Sequence, residues 1–286
     1  MDALDLVVQT QKGKALKKAQ SGVKAARRNV DKARTRDSLH ALAKLAELVD
    51  GKYRIVSQPP IVIPMREMGG AQGLSADEVE SAIHEQLRSY RSTLPADRRQ
   101  LLERFEVVDV ARKVVGVGSV GMRAFIALLQ GRDQQDPLFL QVKEATRSVL
   151  EDHLPKSRFR QPGERVVQGQ RMMQAASDIF LGWTRGVQDN RYLYWRQLRD
   201  MKGSAVVEGM KPLAMTFYAS ACGWTLARAH ARSGDPIALA AYLGRSDKFD
   251  RSIADFSARY ADQNERDYEA FAKAISSGRL EASDSV

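Results

Sequence analysis

The sequence predicts an α+β protein in which a small antiparallel sheet is flanked by many helices and helix predominates overall. Near both ends of the chain, apolar residues recur at spacings of three and four, which is the period of an amphipathic helix. From Glu106 onward the middle of the chain is rich in valine, is interrupted by glycine and has no helical period. That pattern is typical of short strands joined by turns.

Composition indicates a soluble globular protein. The 286 residues are 43% hydrophobic and 28% charged, and no apolar run approaches the roughly 20 residues of a membrane helix. The N-terminus lacks the features of a secretory signal, and the single cysteine, Cys222, permits no internal disulfide. We therefore expect a cytoplasmic protein without a membrane span, in which Cys222 is a buried structural thiol.

The first segment, residues 1–50, is predicted to be basic, amphipathic and helical. Ten lysines and arginines lie in the stretch Lys12–Arg36, called the basic arm here, against a single acid, Asp31. The basic arm thus contains nearly all of the net charge of +10. It fits a solvated helix face, and it also fits a surface that binds nucleic acid or another acidic partner.

The second segment, residues 51–104, is predicted to hold an extended Pro-rich stretch and two helices. The helical pattern of the first segment continues to Asp50-Gly51, and a strand is expected over Tyr53–Val56. Ser75, followed three residues later by glutamate, is a capping box that predicts a helix to about Ser92. A second, short helix is expected over Pro95–Phe105.

The third segment, residues 105–205, contains the string KVVGVGSVG, in which three glycines have the spacing G-x-G-x-x-G. Glycine at these positions also suits a tight hairpin that binds nothing. In one interpretation the turn belongs to a dinucleotide fold, MRAFIALLQG forms the helix after it, and Glu144 binds the ribose. The alternating apolar residues of that string are more typical of a strand. The residues of the turn are Gly116, Gly118, Ser119 and Gly121.

In a second interpretation, the glycines join two antiparallel strands over the phosphates of ATP, as in the small lobe of a protein kinase. This arrangement requires a lysine on the third strand, and the string LFLQVKEA supplies Lys143. It also requires a carboxylate on the next helix, which is predicted over Glu164–Leu181. That helix offers Glu164 and Asp178, whereas the position best placed for an acid, Gln168, is an amide.

The last segment, residues 206–286, is predicted to form long amphipathic helices over Pro212–Arg232 and Asp250–Ser276. Charged residues before and within it are weaker candidates for a cleft. The string AHARSGD faintly resembles a catalytic loop, although its histidine and glycine also suit the end of a helix. These cleft candidates are Arg196, Arg199, Asp200, His230 and Asp235.

Six strings together resemble the bacterial domain-of-unknown-function family DUF2252, which itself resembles kinase-like phosphotransferases. They are DVARKVVGVGSVG, LQVKEA, RVVQGQRMMQAASDIFLGW, RQLRDMKGS, CGWTLARAHARSGD and YADQNERDY. The resemblance runs from about Phe105 to Glu281, and it implies that this chain is the C-terminal part of the family's pattern. The family's Gly-Asp-Ala-His stretch and its Asp-rich metal stretch have no counterpart in the sequence.

The resemblance implies a partial kinase-like domain that binds nucleotide phosphates, takes ATP with Mg as cofactor and acts on an unknown substrate. Because the catalytic base and the metal ligands are missing, we expect it to be inactive alone. No catalytic or metal-binding residue is assigned from the sequence. The alternative is a helical interaction module whose basic arm binds nucleic acid or an acidic partner.

Overall fold

A computed structural model of the chain describes residues 38–68, 75–114, 121–187, 191–198, 203 and 205–282, together with Lys24, Arg27, Arg28 and Asp31. The chain divides into two compact units, Met1–Thr225 and Leu226–Val286. Most of the basic arm and most of the glycine turn lie outside the described residues.

The first described elements form a helix and a hairpin. Helix α1 spans Ser38–Leu45, and strands β1 (Ala46–Val49) and β2 (Lys52–Ile55) pair antiparallel. The prediction that helix continues to Asp50-Gly51 is wrong, because these two residues form the hairpin turn. Their φ angles of 50° and 75° are the left-handed values that a two-residue hairpin requires and that Asp-Gly supplies readily.

Next along the chain come a short strand, which forms one edge of the main sheet, and three helices. They are β3 (Val62–Pro64), α2 (Met65–Met68), α3 (Ala76–Ser92) and α4 (Ala96–Leu102). The predicted capping box is present: the Ser75 hydroxyl accepts from the backbone N–H of Glu78, whose carboxylate accepts from the backbone N–H of Ser75. This local signal placed the start of α3 correctly.

Five further strands complete a six-stranded sheet. They are β4 (Glu106–Lys113), β5 (Ala124–Gln130), β6 (Pro137–Glu144), β7 (Gly182–Arg185) and β8 (Tyr192–Gln197). The spatial order is β3-β4-β5-β6-β8-β7, and every pair is antiparallel. The dinucleotide interpretation is therefore wrong, since it requires parallel strands and a helix where β5 lies.

Between β6 and β7 the chain forms a single 3-10 turn, Val149–Asp152, and helix α5, Pro162–Met173. The predicted helix Glu164–Leu181 is too long, because the helix ends at Met173 and the backbone of Gln174 is extended. Beyond it, the Asp178 carboxylate accepts from the backbone N–H of Phe180, 2.8 Å away. This local bond favours a turn over a continued helix.

Alternation along β6 separates the two faces of the sheet. Leu138, Leu140 and Val142 point into a core that is closed by α3 and α4, and we call this side the core face. Phe139, Gln141 and Lys143 point to the opposite side, the Lys143 face. There, α1 covers the apolar end around Phe139, and α5 packs over β7 and β8. The polar end of this face, around Lys143, is half-buried.

Tyr90 of α3 is held in the core face by burial, a hydrogen bond and ring stacking. It is fully buried, its hydroxyl donates to the carbonyl of Phe180 at 2.6 Å, and its ring stacks on Trp195 at 4.5 Å. Position 182 must be glycine for this packing, because a Cβ there would lie 2.6 Å from the Tyr90 ring. Tyr90 thus fixes α3 against β7 and β8.

The C-terminal part consists of helices α6 (Pro212–Ser233), α7 (Pro236–Leu243) and α8 (Lys248–Ser276), close to the predicted ranges. Cys222 on α6 is exposed, so the expectation of a buried thiol is wrong. Within the described ranges, no helix has the length and apolar character needed to cross a bilayer. Exposed apolar side chains follow one stripe of α8: Phe249, Ile253, Phe256, Tyr260, Tyr268 and Phe271.

We expect Tyr90→Phe to lower the free energy of unfolding by about 1 kcal/mol or more, because the Phe180 carbonyl loses its donor while the ring still stacks. Burial raises the pKa of Tyr90 well above its usual range. The unfolded chain therefore loses this proton first, and the contribution of Tyr90 to stability falls as the pH rises above about 10. Urea denaturation at neutral pH and at about pH 10.5 should show a smaller alkaline loss in the variant.

The control is Tyr268→Phe, which changes an exposed tyrosine and should behave as the wild type at both pH values. Equal midpoints for Tyr90→Phe and the wild type would contradict the role given to the Tyr90 hydroxyl.

Candidate functional site

The glycine turn connects β4 to β5, so the predicted hairpin arrangement of these two strands is present. Gly116, Gly118 and Ser119 lie outside the described residues. Gly121 is described and has φ of +83°, a value that favours glycine, with no atom within 4 Å of where a Cβ would stand. The chain therefore leaves the turn through a backbone conformation that only glycine adopts without strain.

Lys143 lies near the end of β6, directly opposite Ala124, the first residue of β5 after the turn. On its other side it faces Tyr194 of β8. The Lys143 side chain is half-buried, and Ala124 beside it is small and buried. The predicted lysine is thus on the strand adjacent to the one that leaves the glycine turn.

A second cation, Arg196, shares the Lys143 face. It lies opposite Gln141, two residues along β8 from Tyr194, and is therefore a diagonal neighbour of Lys143 across the strand pair. Such neighbours are about 7–8 Å apart at the backbone, within reach of long side chains. Burial, and then the positive charge of Arg196, lower the pKa of Lys143. We call Lys143 and Arg196 the cation pair.

Tyr194 stands beside the cation pair on the same face. Burial raises the pKa of the Tyr194 phenol, and the nearby charge of Arg196 opposes that shift. The phenol is therefore neutral in the neutral pH range and offers an O–H donor next to the two cations. The positive charges of Lys143 and Arg196 and the O–H donor of Tyr194 together favour the binding of an anion.

The two predicted carboxylate partners of Lys143 do not hold it. Glu164 lies in the first turn of α5 and forms no ion pair with any residue that the structure describes. Asp178 lies beyond the helix, and its carboxylate oxygens accept from the backbone N–H groups of Phe180 at 2.8 Å and Gln197 at 2.6 Å. Asp178 therefore shapes the turn before β7 and ties it to the end of β8.

Glu144, which the dinucleotide interpretation gave to a ribose, has a structural role on the core side of β6. One oxygen accepts from Arg191 at 2.7 Å and the other accepts from the backbone N–H of Arg123 at 3.0 Å. Its side chain is only 9% exposed. Glu144 thus fixes the segment that follows the glycine turn against the start of β8, and its carboxylate bonds neither Lys143 nor Arg196.

The other cleft candidates either lie outside the described residues or belong to the C-terminal helices. Arg199 and Asp200 lie outside the described ranges. His230 is exposed in the last turn of α6. Asp235 caps α7, since its carboxylate accepts from the backbone N–H groups of Ile237 at 2.9 Å and Ala238 at 3.1 Å. Asp235 is accounted for by this capping bond.

Magnesium in a kinase-like site would need a group of oxygen ligands. Among the described residues, no cluster of three or more His, Cys, Asp or Glu side chains has an arrangement that fits a metal ion. The described part of the site therefore does not fit a resident metal ion.

The geometry defines an antiparallel α+β domain with a half-buried cationic site on one sheet face. A family model described as an uncharacterized protein conserved in bacteria, DUF2252, matches residues 1–274. The chain belongs to this family. The match includes the region before Phe105, where sequence reasoning found no diagnostic string. No curated protein and no solved structure matches the chain.

Sequence reasoning found Lys143 and placed Arg196 among the cleft candidates, but it did not bring them together. The pairing of β6 with β8 joins them across more than fifty residues of sequence, and no local spacing indicates it. Alternation within LQVKEA and YLYWRQL is the signal that would have placed both residues on one face, once the register was known.

We expect Asp178→Asn to lower the free energy of unfolding by about 1–3 kcal/mol, because the amide has one acceptor oxygen for two backbone donors and its NH₂ group meets the other. Chemical denaturation measures this change. Asp255→Asn, at an exposed position of α8, should be neutral. A destabilisation no larger than that of Asp255→Asn would contradict the structural role of Asp178.

Proposed function

We propose that the chain is a kinase-like, phosphotransferase-type domain that binds the phosphates of a nucleotide. Gly116, Gly118, Ser119 and Gly121 cover the phosphates, and Lys143 holds them. The substrate is not assigned. The observation that carries the proposal is the half-buried Lys143, which has no carboxylate partner among the described residues and lies on the strand beside the one that leaves the glycine turn.

The order of elements supports this proposal. In protein kinases a glycine-rich loop covers the phosphates, and the lysine that contacts them lies on the third strand, before the helix that carries its glutamate. Here the glycine turn, β5, β6 with Lys143 and helix α5 follow in that order along the chain. The likeness concerns connectivity, and it supports phosphate binding at this face.

The charge balance supports it as well. An ammonium group that is half-buried and unpaired carries an electrostatic cost that a bound anion removes. Phosphate oxygens are the anions that a glycine-rich turn accommodates, because its backbone N–H groups approach them closely. Lysine then acts as a point charge on the same oxygens.

The proposed domain binds nucleotide but transfers little phosphate by itself. Transfer requires a carboxylate that orients the acceptor and oxygen ligands that hold the metal. Neither group is present at the cation pair among the described residues. Phosphate transfer catalysed by the 286-residue chain alone would contradict this part of the proposal.

Thermal melting with and without Mg-ATP tests the proposal. A ligand at about a hundred times its Kd adds about 2.7 kcal/mol of stability, which raises the Tm of a domain of this size by several degrees. We expect this rise in the wild type and its loss in Lys143→Ala, because the variant lacks the charge that holds the phosphates.

Lys52→Ala is the matched control, since Lys52 is an exposed lysine on β2 and its replacement changes the net charge equally. It should retain the full rise in Tm. No rise in the wild type, with the protein folded, would contradict nucleotide binding, and a full rise in Lys143→Ala would contradict the role of the lysine.

A second candidate function is an interaction through the basic arm. Its described basic residues, Lys24, Arg27 and Arg28, are helical and exposed, and with Asp31 they share one face at helical spacing. A face of this kind binds phosphate backbones through charge alone.

Changing Lys24, Arg27 and Arg28 together to glutamine in the full chain tests this candidate. If the arm binds nucleic acid, the affinity measured against salt concentration should lose about 0.9 in logarithmic slope for each residue that contacted a phosphate. Lys143→Ala is the control and should leave that slope unchanged. Salt-independent binding, or none, would contradict the candidate.

A further inference from the structure

We infer that Arg196 is a second phosphate-binding residue, and that the cation pair holds a polyphosphate chain through side-chain charge without requiring a divalent cation. This inference rests on the proposed function, because it concerns the same face of the sheet. It adds a ligand class, the polyphosphate group itself, and a residue that the kinase-like arrangement does not call for.

The strand register brings the two cations together. Gln141 faces Arg196 and Lys143 faces Tyr194, so all four side chains lie on the Lys143 face at the junction of β6 and β8. Each of the four is half-buried, between the part of this face covered by α1 and the part covered by α5. The two positive side chains are therefore half-buried neighbours on one face of the sheet.

Arg196 has a buried Nε, and its side chain is distinguished from those of the two other arginines that have a buried, unpartnered Nε. Buried Nε atoms without a hydrogen-bond partner occur at three described residues, Arg91, Arg165 and Arg196. Arg91 still donates to the carbonyl of Phe105 at 2.7 Å, and Arg165 donates to the carbonyl of Thr146 at 3.0 Å.

Arg196 differs from these two residues: no described residue accepts a hydrogen bond from its side chain, so its buried Nε has no partner and only its terminal nitrogens reach solvent. A buried donor that lacks any acceptor costs free energy, and the cost is larger for a charged group. An acceptor that is itself an anion removes this cost, and it removes the repulsion between Arg196 and Lys143 as well.

No carboxylate among the residues that the structure describes meets this need. Glu144 is held by Arg191 and Arg123 on the other face, and Asp178 accepts from two backbone N–H groups. Glu164 on α5 forms no ion pair with the described residues. The described acids around the site therefore leave its two positive charges to a ligand.

A polyphosphate suits this pair of cations. Arginine presents a planar fork that bonds two oxygens of one phosphate, while lysine contacts oxygens as a point charge. In a polyphosphate, adjacent phosphate groups share one bridging oxygen, so Lys143 and Arg196 each contact a separate phosphate group. Neutralisation by Lys143 and Arg196 then replaces part of what a divalent cation provides in kinases.

The experiment is calorimetric titration of the full chain with inorganic tripolyphosphate in the presence of a metal chelator. We expect the wild type to bind tripolyphosphate, Arg196→Gln to bind it about tenfold more weakly or worse, and Arg196→Lys to be intermediate, because it keeps the charge and loses the fork. Arg185→Gln is the matched control, since Arg185 is an exposed arginine of the same sheet. It should bind as the wild type.

Failure of this inference is distinguishable from failure of the proposed function. Equal tripolyphosphate affinity in Arg196→Gln and the wild type would overturn the role of Arg196, even if Lys143→Ala abolishes binding. Binding of Mg-ATP without binding of metal-free tripolyphosphate would overturn the inference and leave the proposed function standing. If Arg196→Gln does not fold, Arg196→Lys is the test: wild-type affinity in that variant would contradict the proposed contact of the Arg196 guanidinium with two phosphate oxygens.

Discussion

The register of β6 between β5 and β8 is the constraint on which the rest of the structure depends. With this register, Leu138, Leu140 and Val142 enter the core, and Lys143 points to the opposite face. A slip of one residue would exchange the two sets and would bury an ammonium group among Tyr90, Trp195 and their neighbours. The core on one face therefore holds the cationic site in place on the other.

The same register places Lys143 beside Arg196 on a face where no carboxylate of the described residues pairs with either side chain. The carboxylates of Glu144 and Asp178 accept hydrogen bonds from the backbone N–H groups of Arg123, Phe180 and Gln197. These bonds fix the chain after the glycine turn and the turn before β7, so the carboxylates that position the site cannot also neutralise it. The hydrogen bonds that fix the backbone around the site therefore also occupy the carboxylates of Glu144 and Asp178.

Local signals allowed much of the fold to be predicted, including the Ser75 capping box and the lysine strand. The strand expected over Tyr53–Val56 is present as β2, but its partner β1 was missed because Leu45 and Val49 keep a helical spacing and only the Asp50-Gly51 turn indicates a hairpin. The end of α5 at Met173 was missed because apolar residues continue along the sequence beyond Gln174, where the backbone is already extended. The cation pair was beyond sequence reasoning, since strand pairing alone brings Arg196 to Lys143.

The most direct test of the cation pair is a crystal structure of the chain with tripolyphosphate bound, solved without divalent cations. We expect phosphate oxygens within hydrogen-bonding distance of both Lys143 Nζ and Arg196 Nε, at about 2.7–3.2 Å. Tripolyphosphate bound elsewhere, for example along the basic arm, without contact to Lys143 or Arg196, would show that the cation pair is not the binding site.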